Sequence, residues 1–126
     1  MASIHTAESV ARGHPDKVCD QVSDWILDRT LEQDPEGRVA VETAVKTGLV
    51  VLLGEVTSSA VPDYPGWVRE IIGRIGYERE GMGFSAEGVG VVNAIDSQSP
   101  DIARGVDREG GVLGAGDQGI MVGYAC

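Results

Sequence analysis

The sequence predicts a domain of mixed helix and strand, and three observations carry that reading. Residues 15–33 repeat their apolar positions at helical spacing. Residues 39–46 and 49–56 are two β-type runs separated only by Thr47-Gly48. Residues 64–75 repeat the helical spacing between turn signals, and a further β-type run follows at 89–95. At 126 residues the chain is long enough for one domain with a real core, or for one domain and part of another.

The N-terminal residues 3–10 read as a short strand, with His5 exposed and without a partner. The next stretch, Gly13-His14-Pro15-Asp16-Lys17, puts an imidazole, a carboxylate and an ammonium at the mouth of the first helix. Pro15 suits the first helical position, where its missing N–H costs nothing. His14 then falls at the N-cap, with Asp16 and Lys17 in the first turn, beside backbone N–H groups that favour an anion. An ordinary capped helix with Asp16 complementing the dipole has the same local features, so the rest of the chain has to decide.

Within residues 15–33, Val18, Cys19, Val22, Trp25 and Ile26 build one apolar face, and Cys19 reads as a buried thiol. Leu27 and Leu31 fall nearly opposite, which predicts a second burial, against another subunit. Asp16, Asp20, Asp24 and Asp28 recur every four residues as an acidic stripe, of which Asp24 and Asp28 read as solvated surface. Asp34-Pro35-Glu36-Gly37 ends the helix.

In the first strand Val39, Val41, Thr43 and Val45 alternate with Ala40, Glu42, Ala44 and Lys46. The run 49–56 is almost unbroken apolar, as in a strand covered on both faces. A two-residue turn at Thr47-Gly48 pairs Lys46 with Leu49 and Ala40 with Glu55. Glu42 and Glu55 then share one face of a partly buried sheet and call for a compensating cation, basic ligand or metal. A one-residue slip would remove that argument.

Asp63 is the predicted N-cap of the second helix, Trp67, Val68, Ile71, Ile72 and Ile75 its buried stripe, and Gly76 its left-handed terminus. Residues 78–88 form a glycine-rich charged loop. Residues 96–113 have few apolar positions and no period, and are long enough to read as a lid. Gly114-Ala115-Gly116-Asp117-Gln118-Gly119 is a small-residue platform around one carboxylate, suited to close ligand approach. A strand opening at 120–124 with nothing after it to pair suggests a truncated protein.

The formal net charge of −10 argues against nucleic acid or an anionic membrane as partner, and makes divalent cations the mediators of any polyphosphate binding. No apolar run reaches membrane-spanning length, no signal peptide is evident, and two cysteines are too few for a disulfide framework. A cytoplasmic location is expected.

With these residues in view, the sequence resembles the S-adenosylmethionine synthetases. The resemblance runs almost end to end: ESV-x-x-GHPDK at 8–17, DQVSD at 20–24, EQDP at 32–35, ETAVKTG at 42–48 and GEVT at 54–57. It continues with IGY at 75–77, QSPDI at 98–102, GVD at 105–107 and GAGDQG at 114–119. GHPDK, VKTG, QSPDI and GAGDQG in this order and spacing leave little room for coincidence.

The resemblance implies an enzyme that joins ATP to L-methionine, with release of phosphate and diphosphate. It implies that His14 and Lys17 contact the triphosphate as catalytic and ATP-binding residues, and that Asp16 is a magnesium ligand. It implies that Glu42 lies at a potassium site, and that Glu55, Gln98 and Asp117 bind methionine. The implied fold is α+β, one of three sheet-and-helix repeats, with two subunits packed through their sheets as a homodimer or homotetramer. Residues 1–97 would be the N-terminal domain, 98–113 a mobile gating loop, and 114–126 the start of the central domain. Family members are much longer, so this stretch alone is expected to be inactive. Two alternatives remain: a non-catalytic ATP- or methionine-binding protein, and a J-domain-like co-chaperone sharing His-Pro-Asp. The predicted strands argue against the second.

Overall fold

The computed structural model describes residues 4, 6, 8–78, 81 and 83–97. The elements, all within the unit Met1–Asp96, are α1 (Pro15–Gln33), β1 (Arg38–Lys46), β2 (Leu49–Thr57), α2 (Tyr64–Ile75) and β3 (Gly90–Asp96). The class is α+β: a three-stranded sheet in the order β1-β2-β3, with both helices packed on one face. This excludes the all-helical alternative.

Local chemistry accounts for most of the element bounds. In α1, His14 caps the N-terminus, Pro15 opens the helix, and the Asp34 N–H closes it on the Thr30 carbonyl at 2.8 Å. In α2, the Asp63 carboxylate accepts from the Gly66 N–H, and Gly76 takes the left-handed conformation at φ 118° that a non-glycine residue resists. The Thr47-Gly48 turn sets the antiparallel register, Lys46 opposite Leu49 and Ala40 opposite Glu55, as its two-residue length requires. After α2, β3 returns parallel to β2, with Leu49 opposite Gly90 and Glu55 opposite Asp96.

The core lies between the helices and one sheet face. Val18, Val22 and Ile26 of α1 meet Val68, Ile71 and Ile72 of α2 over Val50 and Leu52 of β2. Val39, Val41 and Val45 line the same face of β1, and the Ser23 and Thr43 hydroxyls share a hydrogen bond at 2.9 Å between α1 and β1. Arg69 donates to the Ala86 and Val89 carbonyls and so ties the segment before β3 to α2.

Three expectations are corrected. Among the described residues 4, 6 and 8–10 there is no strand, and Ile4 is 86% exposed: with only Ile4 and Val10 apolar, this stretch has too little to bury. His5 lies outside the described residues. Strand β3 starts one residue later than predicted, because Val89 is spent in the core before pairing begins. Cys19 is only half-buried rather than a core residue, and what burial it has pushes its thiol upward. Within this chain the helices cover one face of β2 and leave the other open. Leu49, Leu53 and Val92 are exposed on the face away from the helices. Leu27 is likewise exposed and Leu31 half-buried on the outer side of α1.

The two helices are also joined by charge. Glu70 accepts from both Arg29 and Arg74 at 2.8 Å, and the two guanidinium groups lie 4.5 and 4.3 Å from the Trp25 ring. The Arg29 hydrogen bonds hold the Glu70 carboxyl below the usual glutamate range. A lowered folded value stabilises the fold above the ordinary glutamate range, and that contribution is lost as pH falls through the folded value. Glu70 is partly solvated, so Glu70→Gln should cost no more than about 1 kcal/mol at neutral pH. Thermal melts of both proteins should differ at neutral pH and converge as pH falls through the folded value; a constant gap down to acid pH would assign the loss to packing.

Candidate functional site

The mouth of α1 is built by its own cap. His14 has extended backbone angles, φ −64° and ψ 141°, and its Nδ1 accepts from the Asp16 N–H at 3.2 Å. An accepting Nδ1 puts the proton of the neutral ring on Nε2, which is left as an outward donor. The His14 side chain is 43% exposed and that of Asp16 82%, so both are open to a ligand. The Asp16 carboxylate stands 3.8 Å from His14 Nδ1. Half-buried Lys17 follows, so His14, Asp16 and Lys17 are brought together on one turn as predicted.

That turn is held by residues to which the sequence reading assigned no role. The Tyr77 hydroxyl donates to the Gly13 carbonyl at 2.6 Å, and Arg12 donates to the Arg74 carbonyl at 2.8 Å. Gln21 bridges the Arg12 and Lys17 carbonyls at 3.0 and 2.8 Å. Tyr77 and Gln21 belong to the IGY and DQVSD motifs, which was the available signal. Beside the turn lies a cavity of about 320 Å³, walled by Gly13, Pro15, Val45, Lys46, Tyr77 and Phe84.

Glu42 and Glu55 lie elsewhere. Glu42 opposes Leu53 and Glu55 opposes Ala40, so both carboxylates share the open face, as the turn-derived register predicts. Asp96 adds a third acid opposite Glu55. Both glutamates are exposed, so within this chain burial demands no compensating cation, contrary to expectation: the helices cover the other face. Lys46, not Glu55, is the end of the sheet nearest the helix mouth. The Ala40–Glu55 pair lies six residues back along β1, about 20 Å at strand spacing. A single chain therefore separates its two groups of candidate residues. Gln98, Asp117 and the segment 98–113 lie outside the described residues.

Among the described residues no three or more ligating side chains gather as a metal centre. Asp16 does suit a magnesium ion, which commonly takes one or two carboxylates and completes its shell with phosphate oxygens and water. Glu42 offers one exposed carboxylate oxygen pair on an open sheet, a donor of the right type for a hard cation but a single one.

Residues 2–100 match the family model for the S-adenosylmethionine synthetase N-terminal domain. The chain is also similar to the S-adenosylmethionine synthase of Clostridium tetani (strain Massachusetts / E88). The two are 51% identical over 135 residues, covering 99% of this chain and 34% of that protein. The chain thus spans about a third of the length of this curated relative. With the capped His14-Pro15-Asp16 turn and the α+β unit already described, the match leads to one conclusion: the chain belongs to the S-adenosylmethionine synthetase family.

Proposed function

We propose that the protein carrying this domain forms S-adenosylmethionine from ATP and L-methionine, and that residues 13–17 are the triphosphate end of its site. The observation that carries the reading is the helix mouth, where the His14 Nε2 donor, the Lys17 ammonium and the α1 N-terminus gather beside the exposed Asp16 carboxylate. In this reaction the methionine sulfur attacks C5′ of the ribose, the C5′–O bond breaks, and its electron pair leaves with the triphosphate. The triphosphate is then hydrolysed to phosphate and diphosphate. An uncharged thioether is a modest nucleophile, so the barrier is lowered chiefly by stabilising the charge that leaves. Fixed donors aimed at that charge do this without reorganising. His14 and Lys17 supply such donors, and the positive end of the α1 dipole adds to them. Magnesium held by Asp16 would neutralise part of the same charge.

The methionine end is assigned to Glu55, whose carboxylate suits the substrate ammonium, with Gln98 and Asp117. Glu42 is assigned to potassium. In this proposal residues 1–97 are one of three repeats, 98–113 gate the site, and 114–126 begin the next domain. The separation of Glu42 and Glu55 from His14 is resolved if each site takes its two ends from different subunits. The exposed Leu49, Leu53 and Val92 favour a homodimer or homotetramer joined through this sheet face, since three large apolar side chains are otherwise left in water there. No helix among the described residues is long and apolar enough to cross a membrane, which agrees with a cytoplasmic enzyme.

The test is an assay of the full-length protein with ATP, methionine, magnesium and potassium. Equal amounts of S-adenosylmethionine, phosphate and diphosphate are expected. Binding of both substrates without that product would establish the non-catalytic alternative instead.

A further inference from the structure

The peptide unit between Gly13 and His14 is fixed from both sides. Its N–H, on His14, donates to the Ala11 carbonyl at 2.9 Å, and its carbonyl, on Gly13, accepts from the Tyr77 hydroxyl at 2.6 Å. The two partners differ in kind. Ala11 belongs to the same loop, whereas Tyr77 is 64 residues away, immediately past the left-handed Gly76 that ends α2.

Tyr77 is itself rigidly placed. Its N–H donates to the Ile72 carbonyl at 3.2 Å and its carbonyl accepts from the Ala86 N–H at 2.8 Å. Its ring meets Phe84 edge-on, with centroids 5.1 Å apart and planes at 84°. The fit against the loop is close, since a Cβ at Gly13 would lie 3.1 Å from the Tyr77 hydroxyl. The preceding residue adds an anchor to the same helix, because the Arg12 side chain donates to the Arg74 carbonyl.

We propose that Tyr77 is a positioning residue for the triphosphate end of the site, acting through the Gly13 carbonyl to aim the His14 imidazole. The orientation of the 13–14 peptide plane sets the φ of His14, and with it the direction in which Nε2 points once Nδ1 is engaged by the Asp16 N–H. A donor held within a few tenths of an ångström is worth far more to a developing charge than one that must be ordered on binding. The inference rests on the reading of His14 as a triphosphate contact.

The test uses the full-length protein and tripolyphosphate with magnesium as probe, so that affinity is read without turnover. Tyr77→Phe keeps the ring and its contact with Phe84 but removes the donor. It should weaken tripolyphosphate binding about 10-fold and lower kcat by a similar factor, leaving the methionine KM within about twofold. His14→Asn retains an N-capping side chain. In that background Tyr77→Phe should change tripolyphosphate affinity by less than about twofold, because residues acting as a unit are not additive. Equal affinity in wild type and Tyr77→Phe, including no binding by either, would overturn the proposal. So would the same loss in both backgrounds, which would make Tyr77 a structural residue independent of His14. A 10-fold loss of affinity in a protein that forms no S-adenosylmethionine would support the positioning role and overturn the transferase reading alone.

Discussion

Gly54→Ala should destabilise the domain by about 3 kcal/mol or more and lower its melting temperature by at least about 10 °C. Gly54 sits in the central strand, opposite Val41 of β1 and Ile95 of β3, so both ladders meet at this residue. Its φ of 132° lies where a side chain is strained. A Cβ there would collide with the Ala40 carbonyl oxygen and come within 3.2 Å of the Val41 Cα, all of it backbone that cannot rotate away. The chain must then either flatten Gly54 and shift its neighbours or open the hairpin at Ala40. Either response moves Glu55, the next residue, so a rise in the methionine KM should accompany the thermal loss. Thermal unfolding followed by circular dichroism checks the first effect and steady-state kinetics the second. A melting temperature within about 2 °C of wild type would show that the strand relaxes at this position without cost.

The same residue illustrates what the sequence did and did not disclose. Gly54 interrupts an apolar run, which marks a close approach of backbones, but the approaching atom belongs to another strand and is invisible locally. Elements set by adjacent residues were legible. The bounds of α1 follow from the cap and Pro15, those of α2 from Asp63 and Gly76, and the hairpin register from the length of its turn. Relations between distant segments were not. The parallel return of β3, the open sheet face and the Tyr77 contact with Gly13 all depend on which way the helices fold over. An unbroken apolar run in β2 is compatible with one helix-covered face plus a second face reserved for another surface. Among the described residues 4, 6 and 8–10 no strand forms, since Ile4 and Val10 give that stretch little to bury. At the site, His14, Asp16 and Lys17 are neighbours in sequence and so in space. The placement of Glu42 and Glu55 on one face was legible from the turn, whereas their separation from the helix mouth was not.

Asp16→Asn should reduce turnover at limiting magnesium by about 100-fold or more while changing the melting temperature by only a few degrees. The two effects separate because of how the helix mouth is built. The cap uses the backbone N–H of residue 16, donated to His14 Nδ1, and an asparagine retains it. What the substitution removes is one negative charge from the first turn, worth about 0.3–1 kcal/mol against the helix dipole. The side chain is 82% exposed, with its carboxylate 3.8 Å from His14 Nδ1, so little packing depends on it. A carboxylate that contributes so little to the fold is free to serve a cation, and an amide oxygen is a weaker magnesium ligand because it carries no net charge. Raising magnesium should therefore restore part of the lost rate in Asp16→Asn, whereas raising methionine should not. Kinetics over a magnesium series at saturating ATP, alongside thermal melts, decide the matter. Unchanged turnover at limiting magnesium would remove Asp16 from the metal site, and a large thermal loss with normal magnesium dependence would make its role structural.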